Sequence, residues 1–232
     1  MKQLFTFPVP FRSVYPVYWL GLLVVLVGLD LTTKKSATNY LNFHLSVSQA
    51  RGEQIGPTHK ALYAERDKVD ILGEAGKLIK FRLVFNDRFV FGSGPSAPVL
   101  GFFMTLSAII FLLFYRWHNH DLGHPIAWLF VFSGALGNLI DKMWVKSLLT
   151  REWSLSITPQ PGHVSGVVDF VECIWFGWSQ FADVPLLGWL AWRTWPTFNL
   201  ADSLIVVAIF WLLLTIRWRE EDESADDAAS KS

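Results

Sequence analysis

The chain has a single cysteine, Cys173, among 232 residues, which excludes an intrachain disulfide and any metal site built from several thiolates. It also lacks a charge excess of either sign, because twenty Lys and Arg offset twenty Asp and Glu. No global field therefore recruits nucleic acid or another polyanion, and charge informs only by position. The apolar run from Val17 to Leu29 lacks a small-x-small cleavage site behind it; Asp30 and Lys34-Lys35 follow instead. With Lys2 and Arg12 ahead of it, the run is expected to be a retained signal anchor and not a cleaved secretory signal. No cysteine lies near it to make the chain a lipoprotein.

What the chain has in quantity is apolar surface. Hydrophobic residues make up 52% of it, with twelve tryptophans and a positive mean hydropathy, and the bilayer is the expected solvent. Four apolar stretches, near residues 14–33, 97–115, 125–141 and 200–218, approach the length a helix needs. A hydrocarbon core of about 30 Å takes about 20 helical residues. The third stretch is short, but Gly134, Ala135 and Gly137 suit close helix packing. The expected fold is an α-helical integral membrane protein with four transmembrane helices, a small exoplasmic β-hairpin or cradle and an interfacial segment. Residues 1–218 form a single membrane-embedded domain, and the acidic tail, residues 219–232, is expected to be disordered.

Lys2 and Arg12 before the first helix, Arg116 between the second and third, and Arg217 and Arg219 after the fourth predict that both termini are cytoplasmic. Residues 34–95 and 142–198 are then exoplasmic. In the first of these, Asn86-Asp87 between apolar runs predicts a hairpin over Leu78–Gly92 with Asn86 at its tip. Residues 49–76 are polar and without strong periodicity, and predict no more than a short surface helix. In the second, Trp175, Trp178, Trp189, Trp192 and Trp195 within Ile174–Trp195 suit a surface lying among lipid headgroups.

This topology brings polar residues to one level. Asp30 ends the first helix, Asn138 and Asp141 close the third, Asn199 and Asp202 open the fourth, Asp169 lies in a loop and Asn86 on the hairpin, all on the exoplasmic face. A carboxylate at the edge of hydrocarbon is costly unless neutral, paired or working. Two carboxylates at one site cannot both ionise cheaply and hold a single proton near neutrality. The ionised one takes a proton from attacking water; the protonated one hydrogen-bonds the carbonyl and later supplies the leaving nitrogen.

Each residue also has a structural reading. Asn199 with Asp202 three positions on resembles an N-terminal cap with a carboxylate in the first turn. Asp141 beside Lys142 reads as an interfacial ion pair, and Asp30 as a partner of Lys34 one turn on. Asp169, after Val167-Val168, has no obvious cap or pair. Spacing alone does not choose a catalytic pair among the four. His118, His120 and His124 form a loop on the opposite face that suits a metal less well than a plain polar connection. Cys173 with His163 is a weak thiol-hydrolase pattern, and Ser203 lacks a nucleophile-elbow context.

Three segments in order, Gly134-Ala-Leu-Gly-Asn-Leu-Ile-Asp-Lys142, Gly166-Val-Val-Asp-Phe170 and Phe198-Asn-Leu-Ala-Asp-Ser203, closely resemble the bacterial lipoprotein signal peptidases, the signal peptidase II family. Asp30-Leu-Thr-Thr-Lys34 is similar to that family's Asp-Gln-x-Thr-Lys element, and Asn86, Phe89 and Gly92 to its β element. The resemblance implies an aspartyl endopeptidase of the inner membrane that cuts prolipoproteins before a diacylglyceryl-modified cysteine. Asp169 and Asp202 become the catalytic dyad. Asn86, Asn138, Asp141, Lys142 and Asn199 support the site and substrate, with Asp30 near the lipid-facing entrance. It implies no cofactor or metal; the expected partners are diacylated prolipoproteins and membrane phospholipids, not nucleic acid, with the enzyme a monomer. Departures are Leu31 for glutamine, Lys142 for arginine, which loses a bidentate fork, and a hairpin without the family's glycine. Apparent insertions lie near residues 45–78 and 172–195. The alternatives are a catalytically inactive paralogue, or an assembly or transport protein on the same fold. A transporter commonly carries ionisable groups at midplane, where these four helices have none.

Overall fold

A computed structural model of the chain describes residues 10–41, 69–72, 78–87, 97–174, 178–185, 187–191 and 195–229. In chain order the elements are α1 (Phe11–Val14), α2 (Val17–Tyr40), β1 (Val69–Leu72), β2 (Ile79–Asn86), α3 (Pro98–His118), α4 (Pro125–Lys142), β3 (Trp144–Ser147), β4 (Trp153–Leu155), β5 (His163–Val164), β6 (Val167–Cys173) and α5 (Leu200–Ala229). The described residues sort into two compact units. The first lies within Met1–Asp30, Met104–Asn138 and Leu200–Ser232, the second within Leu31–Phe103 and Leu139–Asn199.

The first unit is helical. Pro125 opens α4, as Pro98 opens α3, at the position where a missing N–H costs nothing. Tyr15, Trp19 and Phe132 pack edge to face, with ring centroids 5.3 to 6.1 Å apart. The polar tips are satisfied: the Tyr15 hydroxyl donates to the Leu113 carbonyl at 3.0 Å and the Trp19 indole to that of Pro125 at 3.3 Å. On α4, Gly134 meets the Ala201 carbonyl and Ile205 so closely that a Cβ has no room, the small-residue contact expected of that helix.

The second unit is built on two antiparallel sheets, ordered β1-β2-β6 and β4-β3-β5. Alternation sends Leu83 and Phe85 of β2 and Val168 and Phe170 of β6 into one core with Ala37 and Leu41 from the end of α2, joined by Leu148 and Val164. Phe85 pairs with Val168, and Val84 with Asp169.

Several elements differ from the sequence expectation. Helix α2 continues seven residues past Thr33 to Tyr40, because Lys34, Ala37, Thr38 and Leu41 repeat at helical spacing and are buried. Asp169 sits in strand β6 and not in a loop: Val-Val-Asp-Phe-Val-Glu-Cys is a β-branched and aromatic run, buried on both faces at its start. Strand β1 occupies part of the segment read as at most a short helix. The segment after Lys142 forms β3, β4 and β5, which no periodicity announced. The acidic tail is helical to Ala229, as its Glu and Ala content permits, where disorder was expected. The first arm of the hairpin is β2, whose described partners are β1 and β6; its return arm, Phe89–Phe91, lies outside the described residues. The tryptophan-rich segment contributes two short 3-10 turns, Ser179–Phe181 and Gly188–Ala191.

Helices α2 and α3 are long and apolar enough to cross a membrane, by length and composition; the apolar part of α5, Leu200–Thr215, is shorter.

Candidate active site

In the second unit the strand β6 delivers Asp169, 3% exposed, and its surroundings hold it from two directions. Asn199, fully buried in the residue before α5, donates its carboxamide N–H to Asp169 Oδ1 at 2.7 Å and to the Val168 carbonyl at 3.3 Å. Asp141, in the last turn of α4, accepts the Val168 backbone N–H on Oδ2 at 2.5 Å. Lys146 of β3 donates to Asp141 Oδ1 at 2.6 Å, to the Asp141 carbonyl at 3.0 Å and to the Gly166 carbonyl at 2.8 Å. Lys34 Nζ lies 3.6 Å from Asp141 Oδ2. Asp141, Lys34 and Lys146 are all fully buried, so each relies on the others for the solvation it has lost.

Burial pushes the Lys146 amine below its ordinary range, as does the neighbouring Lys34 cation; Asp141 and, further down, Asp169 favour its charged form. The turn entering β6 depends on Gly166, at φ +102°, where a Cβ would stand 2.5 Å from the Asn86 carbonyl oxygen. Asn86 itself ends β2 opposite Val167.

In the first unit Asp202 lies in the first turn of α5 and accepts the Asn138 carboxamide N–H on Oδ1 at 2.8 Å. Asp30, which the resemblance puts near the lipid-facing entrance, is fully buried, and its Oδ1 accepts the Ala201 backbone N–H at 2.9 Å. Asp30 thus satisfies one orphan donor at the start of α5. Gly137 makes room for it: a Cβ there would collide with Asp30 Oδ2.

The pairing expected between Asp141 and Lys142 gives way to Asp141 with Lys146 and Lys34, since adjacent helical residues do not face each other. Lys142 reaches the Gly101 carbonyl at 3.4 Å. Asn138 and Asp141, three apart on α4, serve different partners, Asp202 and Val168. Sequence reasoning missed Lys146 altogether. It stands in a short strand, inside a segment the motifs do not cover, and nothing in Trp-Val-Lys-Ser announces a buried amine. The histidine loop has structural duties: His124 Nδ1 accepts the Ile126 N–H at 3.2 Å and stacks on Trp211, and His120 lies 3.2 Å from Asp121. Burial pushes the Cys173 thiol up, away from the reactive thiolate, while His163 Nδ1 is engaged 2.9 Å from the Pro161 carbonyl.

Two carboxylates each accept a hydrogen bond from an asparagine carboxamide, and Asp169 also lies in the field of Lys146. A third is locked between two ammonium groups, and the fourth is used at a helix start.

Over residues 22–218 the chain matches the family described as signal peptidase (SPase) II. It is 38% identical over 164 residues to the lipoprotein signal peptidase of Leptospira biflexa, covering 70% of this chain and 80% of that protein. To that of Serratia proteamaculans it is 26% identical over 196 residues, covering 84% of each. A solved bacterial membrane enzyme, determined by the in meso method at 2.3 Å resolution, shares the fold with a TM-score of 0.52 at 20% identity, over 90% of this chain and 93% of that one. With its sequence matched from the first long helix to the last, the chain belongs to the signal peptidase II family.

Proposed function

We propose that the chain removes signal peptides from diacylglyceryl-modified prolipoproteins as an aspartyl endopeptidase, with Asp169 and Asp202 as the pair that activates water. Family membership supplies the reaction, the cleavage of signal peptides from prolipoproteins. One observation supports the choice of pair: Asp169 and Asp202 each accept a hydrogen bond from an asparagine carboxamide, that of Asn199 and that of Asn138. Asp141 is salt-bridged to two lysines and accepts the Val168 backbone N–H, so both of its oxygens are engaged, and Asp30 accepts the Ala201 N–H at the start of α5. Asn199 and Asn138 orient their carboxylates. The ionised aspartate takes a proton from water as the oxygen attacks the scissile carbonyl; the protonated one hydrogen-bonds the carbonyl oxygen and then protonates the departing nitrogen. No metal enters this scheme.

The architecture proposed around it has four membrane spans, α2, α3, α4 and the apolar part of α5. Both termini are cytoplasmic and the aspartates lie at the exoplasmic face of the inner membrane. The signal helix arrives laterally from the bilayer, with the acyl chains of the modified cysteine remaining in lipid. A site built from helix ends and a strand meets water at headgroup depth, where a helix middle would not. Asn86, Lys142 and the tryptophan-rich segment are proposed to contact the substrate.

Cleavage of a diacylated prolipoprotein by the purified protein tests this. Asp169→Asn and Asp202→Asn are each expected to lower kcat by about a thousandfold while leaving the fold intact. Near-normal turnover by either variant overturns the dyad.

A further inference from the structure

The second unit carries a groove of about 780 Å³ whose lining contains none of the four aspartates. That is an ordinary size for a small-ligand site. Lys35 and Ser36, near the end of α2, line it together with Trp144 of β3 and with Glu152, Trp153 and Ser154 on the ribbon side. Lys35 Nζ lies 5.2 Å from the centre of the Trp153 ring, and its hydrogen bond to the Arg151 carbonyl is 3.5 Å long, at the limit of such a contact. Among the described residues no ion pair joins Lys35 to Glu152, whose carboxylate accepts from the Thr150 hydroxyl at 3.3 Å. The groove thus offers one cation, one anion and hydroxyl donors.

Its depth is indicated by two further facts. Lys35 and Ser36 stand at the polar end of a helix apolar enough to cross a bilayer, and tryptophans collect at that level. The β3–β4 ribbon also exposes Leu149 and Leu155, 68% and 65% accessible, apolar side chains that water does not favour but a lipid surface does.

We propose that this groove binds the headgroup of a zwitterionic aminophospholipid from the surrounding bilayer. The phosphate lies toward Lys35 and the hydroxyls of Ser36 and Ser154, the primary ammonium toward Glu152. An anionic headgroup without an amine would meet the Glu152 carboxylate unfavourably, and a quaternary ammonium has no N–H to donate to it. A headgroup held there ties α2 to the ribbon that carries Lys146.

The full-length protein in detergent is titrated with phosphatidylethanolamine, phosphatidylcholine and phosphatidylglycerol of identical acyl chains, and bound lipid is counted by native mass spectrometry. Phosphatidylethanolamine is expected to bind at about tenfold lower concentration than the other two. Glu152→Gln abolishes that preference, and Lys35→Ala weakens all three lipids by about tenfold. Glu152 is exposed, so Glu152→Gln decides the matter even if Lys35→Ala destabilises the chain. Equal binding of the three headgroups to the wild type, or a preference unchanged in Glu152→Gln, overturns the proposal. So does a raised KM for a lipopeptide in phospholipid-free micelles with lipid binding unaltered, which would assign the groove to substrate. Asp169→Asn retains lipid binding in every case, so failure of the dyad and failure of this site are separately visible.

Discussion

A single carboxylate, Asp141, stands between two buried lysines and takes the backbone N–H of the residue before Asp169. Removing either kind of partner leaves charge without solvation, but not equally. Lys146→Met leaves Asp141 with Lys34 and is expected to cost about 3 kcal/mol, whereas Asp141→Leu removes the carboxylate that both buried lysines share and costs more. Thermal unfolding in detergent reads the order, and Lys146→Met proving the worse of the two would mean that Asp141 is not the centre of the cluster. Among the residues themselves, Asp141, Asn138 and Asn199 were recognisable in sequence through their motifs. Lys146 was not, because burial of an amine depends on a strand pairing that juxtaposes residues 141, 146 and 166.

The N-terminus of α5 is an element whose geometry depends on Asp30 and Gly137 together. Asp30→Ala removes the cap on Ala201 and is expected to cost roughly 1 kcal/mol. Gly137→Ala destabilises the wild type by displacing Asp30, yet in the Asp30→Ala background it becomes neutral or mildly stabilising, since alanine is the better helix former. A double-mutant cycle by thermal unfolding checks this, and simple additivity of the two losses would refute the shared cap. At this scale the long helices were legible from apolar runs, to within a few residues at most ends. The end of α2 was not, because Lys34 and Thr38 look like exoplasmic polar residues, whereas in the fold both are fully buried within the second unit. Strand β6 reads as a loop in the sequence because an aspartate and a glutamate interrupt its apolar pattern, and in the fold both are buried.

At the scale of the whole molecule the proposed four spans make a directional prediction. In a Cys173→Ser background, Thr150→Cys in the turn between β3 and β4 should react with a membrane-impermeant maleimide added to spheroplasts. Asp121→Cys, between α3 and α4, should react only after permeabilisation. Labelling of both from outside would refute the topology. Hydrophobic run length, the placement of arginines and three ordered motifs are local properties of the chain, and they suffice to mark a membrane protein of the signal peptidase II family. The sequence by itself also narrowed the candidate chemistry to four aspartates. What divides those four depends on partners 27 to 171 residues away along the chain: Val168 with Asp141, Asn199 with Asp169, Asn138 with Asp202, Ala201 with Asp30. Only the tertiary structure decides that, because whether a carboxylate is salt-bridged, capping or held by a neutral amide is a fact about its neighbours in space.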